Sequence, residues 1–304
     1  MEIDVMISEI IDGFLPTINK QKILAGPASY SRDGIQFMDL GTAHIRYRVV
    51  GEGQQTLVFE TDPPVVIEHY DELVSLLRND FQIVIFEPPG FGFSIPSMRL
   101  DYGFQSMVKI CESFLEKLSL GPYLLVAPCV TAYGAIGLAQ KRPDLISHLV
   151  LSQAPSWEEI MKWKIGRDPK GLLGHPVMSQ FLLQLLKRKR TPSWFKKALG
   201  EETLLEPFND IAQTAYKHGA SFNLASAFQH FLIGPSPLSG MVSQPALFVW
   251  GDKDRSHCET CKNSSKSLIE TAHIVHIPEA GHFPELETPS KFLEHLEKFY
   301  REST

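Results

Sequence analysis

The sequence predicts an α/β fold, a mainly parallel sheet with helices on both faces. Three observations predict it. Short apolar runs, among them Thr56–Phe59, Phe81–Phe86, His148–Leu151 and His273–Ile277, recur with helix-periodic stretches between them. The run Leu124–Ala127 breaks at Pro128 and passes at once into Val130, Tyr133, Ala135, Ile136 and Ala139 at helical spacing, until Lys141-Arg142-Pro143 ends the pattern. From about Trp157 to Leu232 the pattern is helical and holds no strand-like run.

Composition narrows the function classes. The 304 residues are 43% hydrophobic and 21% charged, enough for a large core, and the net charge of -6 leaves no footprint for nucleic acid. No run of apolar residues is long enough to span a membrane. Met1-Glu2-Ile3-Asp4 is acidic where a signal peptide needs a positive start. The four cysteines, Cys111, Cys129, Cys258 and Cys261, are too few and too unevenly placed for a disulfide framework, so a cytoplasmic protein is expected.

In chain order, residues 1–34 form an extension whose Ile3, Met6, Ile7, Ile10, Ile11 and Phe14 approach a helical stripe. This predicts an extra helix packed on the core, since the basic face of a membrane-surface helix is missing. Gln36–Asp39 and His44–Val50 read as two strands turning at Leu40-Gly41-Thr42. Thr56–Phe59 is the first central strand and runs into Glu60-Thr61-Asp62-Pro63. A helix over Glu68–Leu77 turns Leu73, Leu76 and Leu77 inward. After the strand Phe81–Phe86 comes Glu87-Pro88-Pro89-Gly90-Phe91-Gly92-Phe93-Ser94. Its glycines serve backbone turns, because the spacing is not that of a phosphate loop. Phe104–Leu118 is a helix that places Cys111 in the core beside Met107, Ile110 and Phe114.

The helical interval contains three stretches, Pro176–Lys189, Leu204–His218 and Phe222–Phe231. Lys187-Arg188-Lys189-Arg190 reads as a solvated helix end, with contact to an acidic carrier or a cofactor phosphate as the alternative. Gln244–Trp250 resumes the sheet and ends in Gly251-Asp252-Lys253-Asp254-Arg255. His257-Cys258-Glu259-Thr260-Cys261 holds a C-x-x-C beside a histidine, but no second ligand pair stands at zinc-site spacing, so no metal is predicted. The last strand leads to Gly281-His282-Phe283-Pro284 and a terminal helix, Ser290–Tyr300.

These elements resemble the α/β-hydrolase family over roughly residues 35–300. The family's nucleophile elbow, G-x-S-x-G, stands here as Ala127-Pro128-Cys129-Val130-Thr131, and its D-x-x-G-x-G-x-S loop is matched from Glu87 to Ser94. The resemblance implies a mainly parallel eight-stranded sheet formed by residues 35–155 and 236–304, with a helical cap over 156–235. It implies Cys129 as nucleophile, Asp254 as triad acid and His282 as triad base, in the order this fold imposes. It also implies an oxyanion hole made by the backbone N–H groups of Val130 and Asp62. The family's His-Gly is absent there, and the Asp62 carboxylate would stand near any developing negative charge.

A thiol paired with a histidine at a helix N-terminus is expected to be largely thiolate at neutral pH and exposed to substrate. Attack on a thioester or activated ester would give a thioacyl enzyme. The sequence therefore points to an acyl hydrolase of thioesterase or esterase type, acting on a mostly apolar small-molecule acyl group, free or linked to a carrier or coenzyme A, without a cofactor. Two alternatives stay open: an acyltransferase or cyclising enzyme with the same triad, and a non-catalytic member that binds a ligand under its cap.

Overall fold

The computed structural model describes residues 2–304, and the side chains of all of these but 2–5 and 15. Eight strands carry the sheet: β1 Ile35–Asp39, β2 Ala43–Val50, β3 Thr56–Glu60, β4 Gln82–Phe86, β5 Tyr123–Pro128, β6 Ile146–Ser152, β7 Ala246–Gly251 and β8 His273–Ile277. Their order is β1-β2-β4-β3-β5-β6-β7-β8, and the ninth strand of the sheet, Ile95–Pro96, pairs β2 off that path. The β1–β2 and β2–β4 pairs are antiparallel, and all pairs from β4 to β8 are parallel.

Parallel strands covered on both faces need apolar residues at every position, and β3 and β5 are buried throughout. Alternate side chains feed two cores. Leu57, Ile83, Leu124 and Val126 pack with Leu73 and with Phe292 and Leu296 of the C-terminal helix Pro289–Ser303. Val58, Val84, Leu125 and Leu149 pack with Phe114 of the helix Phe104–Leu118 and Ile136 of the helix Thr131–Lys141. Helices thus lie on both faces, and the carboxyl ends of the strands open on one edge, where ligands bind in sheets of this kind.

Gly251 and Gly281 bring two of these ends together. A Cβ on Gly251 would sit 1.8 Å from the Gly281 carbonyl oxygen, so the loops after β7 and β8 meet closely only because both positions lack a side chain. The loop after β4 is fixed by charge. Arg46 is fully buried and donates to Glu87 Oε1 at 2.9 Å and Glu68 Oε1 at 2.5 Å. Glu87 also accepts from the backbone N–H of Ile67 and Phe93. Gly90 and Gly92 take φ of +82° and +53°, so both serve turns. Glu87→Ala strips one carboxylate from a buried guanidinium and should lower stability by about 3 kcal/mol in urea unfolding. A loss under about 1 kcal/mol would mean that Glu68 alone suffices to hold Arg46.

Between β6 and β7 run the helices Trp157–Arg167, Met178–Ala198 and Leu205–Lys217, then two short helical turns from Leu224 to Phe231. The second continues past its expected end, through Pro192. The expected strand-free interval fails at one point: Ser221–Phe222 pairs Phe91–Gly92 antiparallel. Gly219, at φ +102°, turns the chain back there, and two residues are too few for a periodicity to show. Leu76, expected inward, is exposed.

The N-terminal helix, Glu2–Ile18, also departs from expectation. Met6, Ile7, Ile10 and Phe14 are exposed, Ile11 is half-buried, and Ile3 lies outside the described side chains. The inward face is the polar one. Asp12 is buried against Ser226, its carbonyl accepts from Asn223, and Ser8 Oγ accepts from the Val177 N–H. Hydrogen bonds to the neighbouring segments, which a hydrophobic pattern does not register, set the helix's rotation. No helix among the described residues is long and apolar enough to cross a membrane.

Candidate active site

β5 ends at Pro128, and the helix opens at Thr131. Cys129 between them has φ +48°, in the left-handed region that residues with a Cβ rarely adopt. Its N–H bonds the Ser152 carbonyl at 2.7 Å, and the Thr131 hydroxyl donates to the Pro128 carbonyl at 2.8 Å. This is the sharp strand-to-helix turn that the sequence predicts, with the flanking glycines replaced.

His282, fully buried, stands between two carboxylates. Its Nδ1 is 2.6 Å from Asp254 Oδ2, and its Nε2 is 3.1 Å from Asp62 Oδ2. Asp254 is further held by Gln153 Nε2 at 3.0 Å and the Ser256 N–H at 2.7 Å. Cys129 Sγ and a ring nitrogen of His282 lie within 4.8 Å. The structure thus brings Cys129, His282, Asp254 and Asp62 together. Val130 and Asp62 both border the space beside Cys129, and neither backbone N–H donates to a described backbone or side-chain acceptor.

A second histidine, His257, also reaches Cys129. Its Nε2 is 3.9 Å from Cys129 Sγ, its Nδ1 is 3.1 Å from Thr260 Oγ1, and its ring stacks between Trp163 and His282. In the sequence His257 stands out only as the neighbour of the C-x-x-C, whose Cys258 and Cys261 are both exposed. Ring nitrogens of His257 and His282 and the Cys129 sulfur all lie within 4.8 Å of one another, a soft donor set of the type that takes zinc. His282 Nε2 is already engaged by Asp62, so an ion there would have to break that bond.

The charges follow from burial and neighbours. Burial pushes His282 down, but Asp254 and then Asp62 outweigh it, and its pKa rises well above the ordinary value. Asp254 is lowered, since His282 overcomes its desolvation. Asp62 is raised by burial more than His282 lowers it. His257 is pushed down to about 3 by burial and is a neutral imidazole. Glu60, buried and with no side-chain partner among the described residues, is pushed up to about 8 and is protonated at neutral pH.

Cys129 corrects the expectation of an exposed thiolate. It is 2% exposed, and burial together with the Asp62 carboxylate raises its thiol above the ordinary value, against the smaller lowering by His282. The thiolate form is disfavoured, so the alkylation rate of Cys129 should still be climbing above about pH 8.5, as for an unactivated thiol. Peptide mapping after timed iodoacetamide exposure measures this, and a plateau below pH 7 would instead show a preformed thiolate–imidazolium pair.

Two cavities meet at this point, both bordered by Asp62, Pro63, Val130 and Leu224. The smaller, about 70 Å³, is lined by Tyr102, Met107, Val108 and Phe231, with Glu60 and Cys111 on its wall. The larger, about 270 Å³, is roofed by the helical insertion and holds Cys129 and His282.

A family model described as alpha/beta hydrolase fold matches residues 66–289. The chain belongs to the α/β-hydrolase fold family. Among curated proteins this hydrolase is similar to YugF of Bacillus subtilis (strain 168), named an uncharacterized hydrolase, at 22% identity over 82% of this chain and 91% of that one. Among solved structures it is similar to an epoxide hydrolase of Bacillus megaterium, with a TM-score of 0.66, 17% identity, and coverage of 88% of this chain and 100% of that one. A probable hydrolytic enzyme of Pseudomonas aeruginosa PAO1 gives a TM-score of 0.69 at 14% identity, over 88% of this chain and 94% of that one. At these identities the structural likenesses speak for the fold. They agree with the mostly parallel sheet and its helices on both sides.

Proposed function

We propose that this hydrolase is an acyl hydrolase working through a thioacyl enzyme on Cys129, with residues 156–235 as a cap that closes over the bond being cut. The observation that carries the reading is the convergence on one buried point of a strained thiol, a histidine aligned by Asp254, and two backbone N–H groups without described partners. The substrate is a thioester or activated ester with a small apolar acyl part, free or carried by a larger group such as coenzyme A. The acyl part enters the cavity beside Tyr102 and Phe231, and the leaving group lies under the cap.

Each residue then has a task. Cys129 Sγ attacks the carbonyl carbon, and the new C–S bond forms as electrons move onto the oxygen, which the N–H groups of Val130 and Asp62 receive. The thiol proton passes to His282 Nε2, whose own proton shifts to Asp62, a carboxylate that burial raises above its ordinary value. Collapse expels the leaving thiolate or alkoxide, which takes that proton. Water then attacks the thioacyl carbon, giving its proton back through His282, and Cys129 is released. Asp254 keeps Nδ1 protonated and the ring oriented throughout.

The near-complete burial of Cys129 favours a second reading, transfer of the acyl group to an amine, thiol or carbon acceptor in place of water. Epoxide opening, the activity named for the Bacillus megaterium neighbour, fits a thiol poorly. Attack by sulfur on an epoxide leaves a thioether, with no acyl carbon for water to reach. Intact mass after incubation with a panel of acyl thioesters tests the proposal. A covalent adduct of the acyl mass that decays in buffer supports hydrolysis, and one that decays only with an added acceptor supports transfer. No adduct with any member of the panel returns the chain to a ligand-binding role.

A further inference from the structure

The roof of the larger cavity carries charge that the hydrolytic scheme leaves unused. Arg167, Lys187, Arg190 and Lys197 all line it, and among the described residues the sole acid on its wall is Asp62, already bonded to His282. The helix Met178–Ala198 sets Lys187, Arg190, Trp194 and Lys197 on one face, three or four residues apart. The basic run Lys187–Arg190 is therefore divided. Lys187 and Arg190 turn to the cavity, while Arg188 turns away and bonds Gln213.

Two of the four cations are held in place. The Arg167 guanidinium lies 5.7 Å from the Trp163 ring centre and 5.5 Å from that of Trp194, and donates to the Ser256 carbonyl at 2.6 Å. Lys187 Nζ donates to the Ala220 carbonyl at 2.8 Å and stands 5.1 Å from the Tyr216 ring centre. Its partial burial presses it down to about 8, a strain that a bound anion would relieve. None of the four pairs with a carboxylate among the described residues, in a chain whose net charge is -6. Arg190 and Lys197 are exposed, so they stand at the cavity's mouth, and like charges gathered around one opening repel one another and draw a positive field over whatever enters.

We propose that this cavity is an anion subsite, and that the substrate of Cys129 carries a phosphate or carboxylate group seated against Arg167, Lys187, Arg190 and Lys197. The assignment names the substrate class of the hydrolytic site and rests on the reading of Cys129 as the reacting group. Arg167 and Arg190 supply planar forks that match either anion, and the tryptophans beside Arg167 exclude water from one side of it.

Iodoacetate and iodoacetamide deliver the same alkyl transfer to sulfur, one as an anion and one neutral, so their rate ratio at Cys129 reads the cavity's field. The exposed Cys261 gives the ratio without that field, in the same molecule. At low salt the ratio at Cys129 should exceed that at Cys261 by about tenfold or more. It should fall toward the Cys261 value in Arg190→Gln/Lys197→Gln and at about 0.5 M salt. A ratio at or below that of Cys261 overturns the proposal. Should neither reagent reach Cys129, the reading of that residue as the reacting group fails, and calorimetry on the unmodified protein decides the subsite by itself. Inorganic phosphate or succinate binding at about 1 mM or tighter, weakened about tenfold in the double variant, supports it, and the tighter of the two names the anion. Binding of neither overturns it.

Discussion

Cys129→Ala will lower turnover of acyl substrates by about 10³-fold or more, the scale on which covalent catalysis fails when its nucleophile is removed. The adduct seen by intact mass will vanish with it. The fold should persist, because the β5 turn is held by the backbone bond from residue 129 to Ser152 and by the Thr131 hydroxyl, neither of which involves the sulfur. Alanine carries the same Cβ penalty at φ +48°, so the turn is no more strained than before. Cys129→Ser is the more searching variant. A hydroxyl needs a stronger base than a thiol does, and the base nitrogen, His282 Nε2, is occupied by Asp62. The serine enzyme should therefore also be crippled, although serine is what the family's elbow carries. Activity within tenfold of the parent in Cys129→Ala would remove Cys129 from the mechanism, whatever the position of His282.

The sheet was legible because period-2 and period-3.6 patterns are written in the chain itself, and β3, β4 and β5 need apolar residues at nearly every position. Cys129, Asp254 and His282 were legible for another reason. Each sits just past a strand end in a loop whose letters are distinctive, and the structure places all three together. His257 was not legible. It lies three residues from Asp254 in sequence, but its place beside Cys129 depends on ring stacking against Trp163, which arrives from the helical insertion, and on His282, which arrives from the loop after β8. The ionisation of Cys129 is hidden from the sequence for a related reason. Proximity to a histidine is visible in a motif, whereas burial and the direction of the Asp62 carboxylate are properties of the assembled site. The N-terminal helix shows the limit of hydrophobic patterning. Its stripe is real, but Ser8 and Asp12 set the rotation through bonds to Val177 and Ser226.

Asp62→Asn separates electrostatics from proton transfer in one variant. The substitution keeps shape and removes the carboxylate that faces His282 Nε2 at 3.1 Å. Asp62 raises the Cys129 thiol and, by its hydrogen bond, raises His282, so without it both pKa values fall. A lower thiol pKa means more thiolate at a given pH, and alkylation of Cys129 by iodoacetamide near neutral pH should be faster than in the parent. Turnover should move the other way. In the proposed scheme Asp62 takes the proton that His282 hands on and returns it to the leaving group, and an amide can do neither. A loss of about 10²-fold is expected, the usual scale for a missing acid–base group. The two readouts are opposed in sign, and because a merely structural disturbance would also bare the buried thiols, an unchanged urea midpoint and unchanged alkylation of the likewise buried Cys111 mark the effect as electrostatic. Asp62 is 7% exposed and its carboxylate is bonded inward, so a side chain resting harmlessly in solvent is not the arrangement being altered. Should alkylation quicken while turnover stays at the parent rate, Asp62 is only a brake on the thiol, and the proton relay through it is wrong.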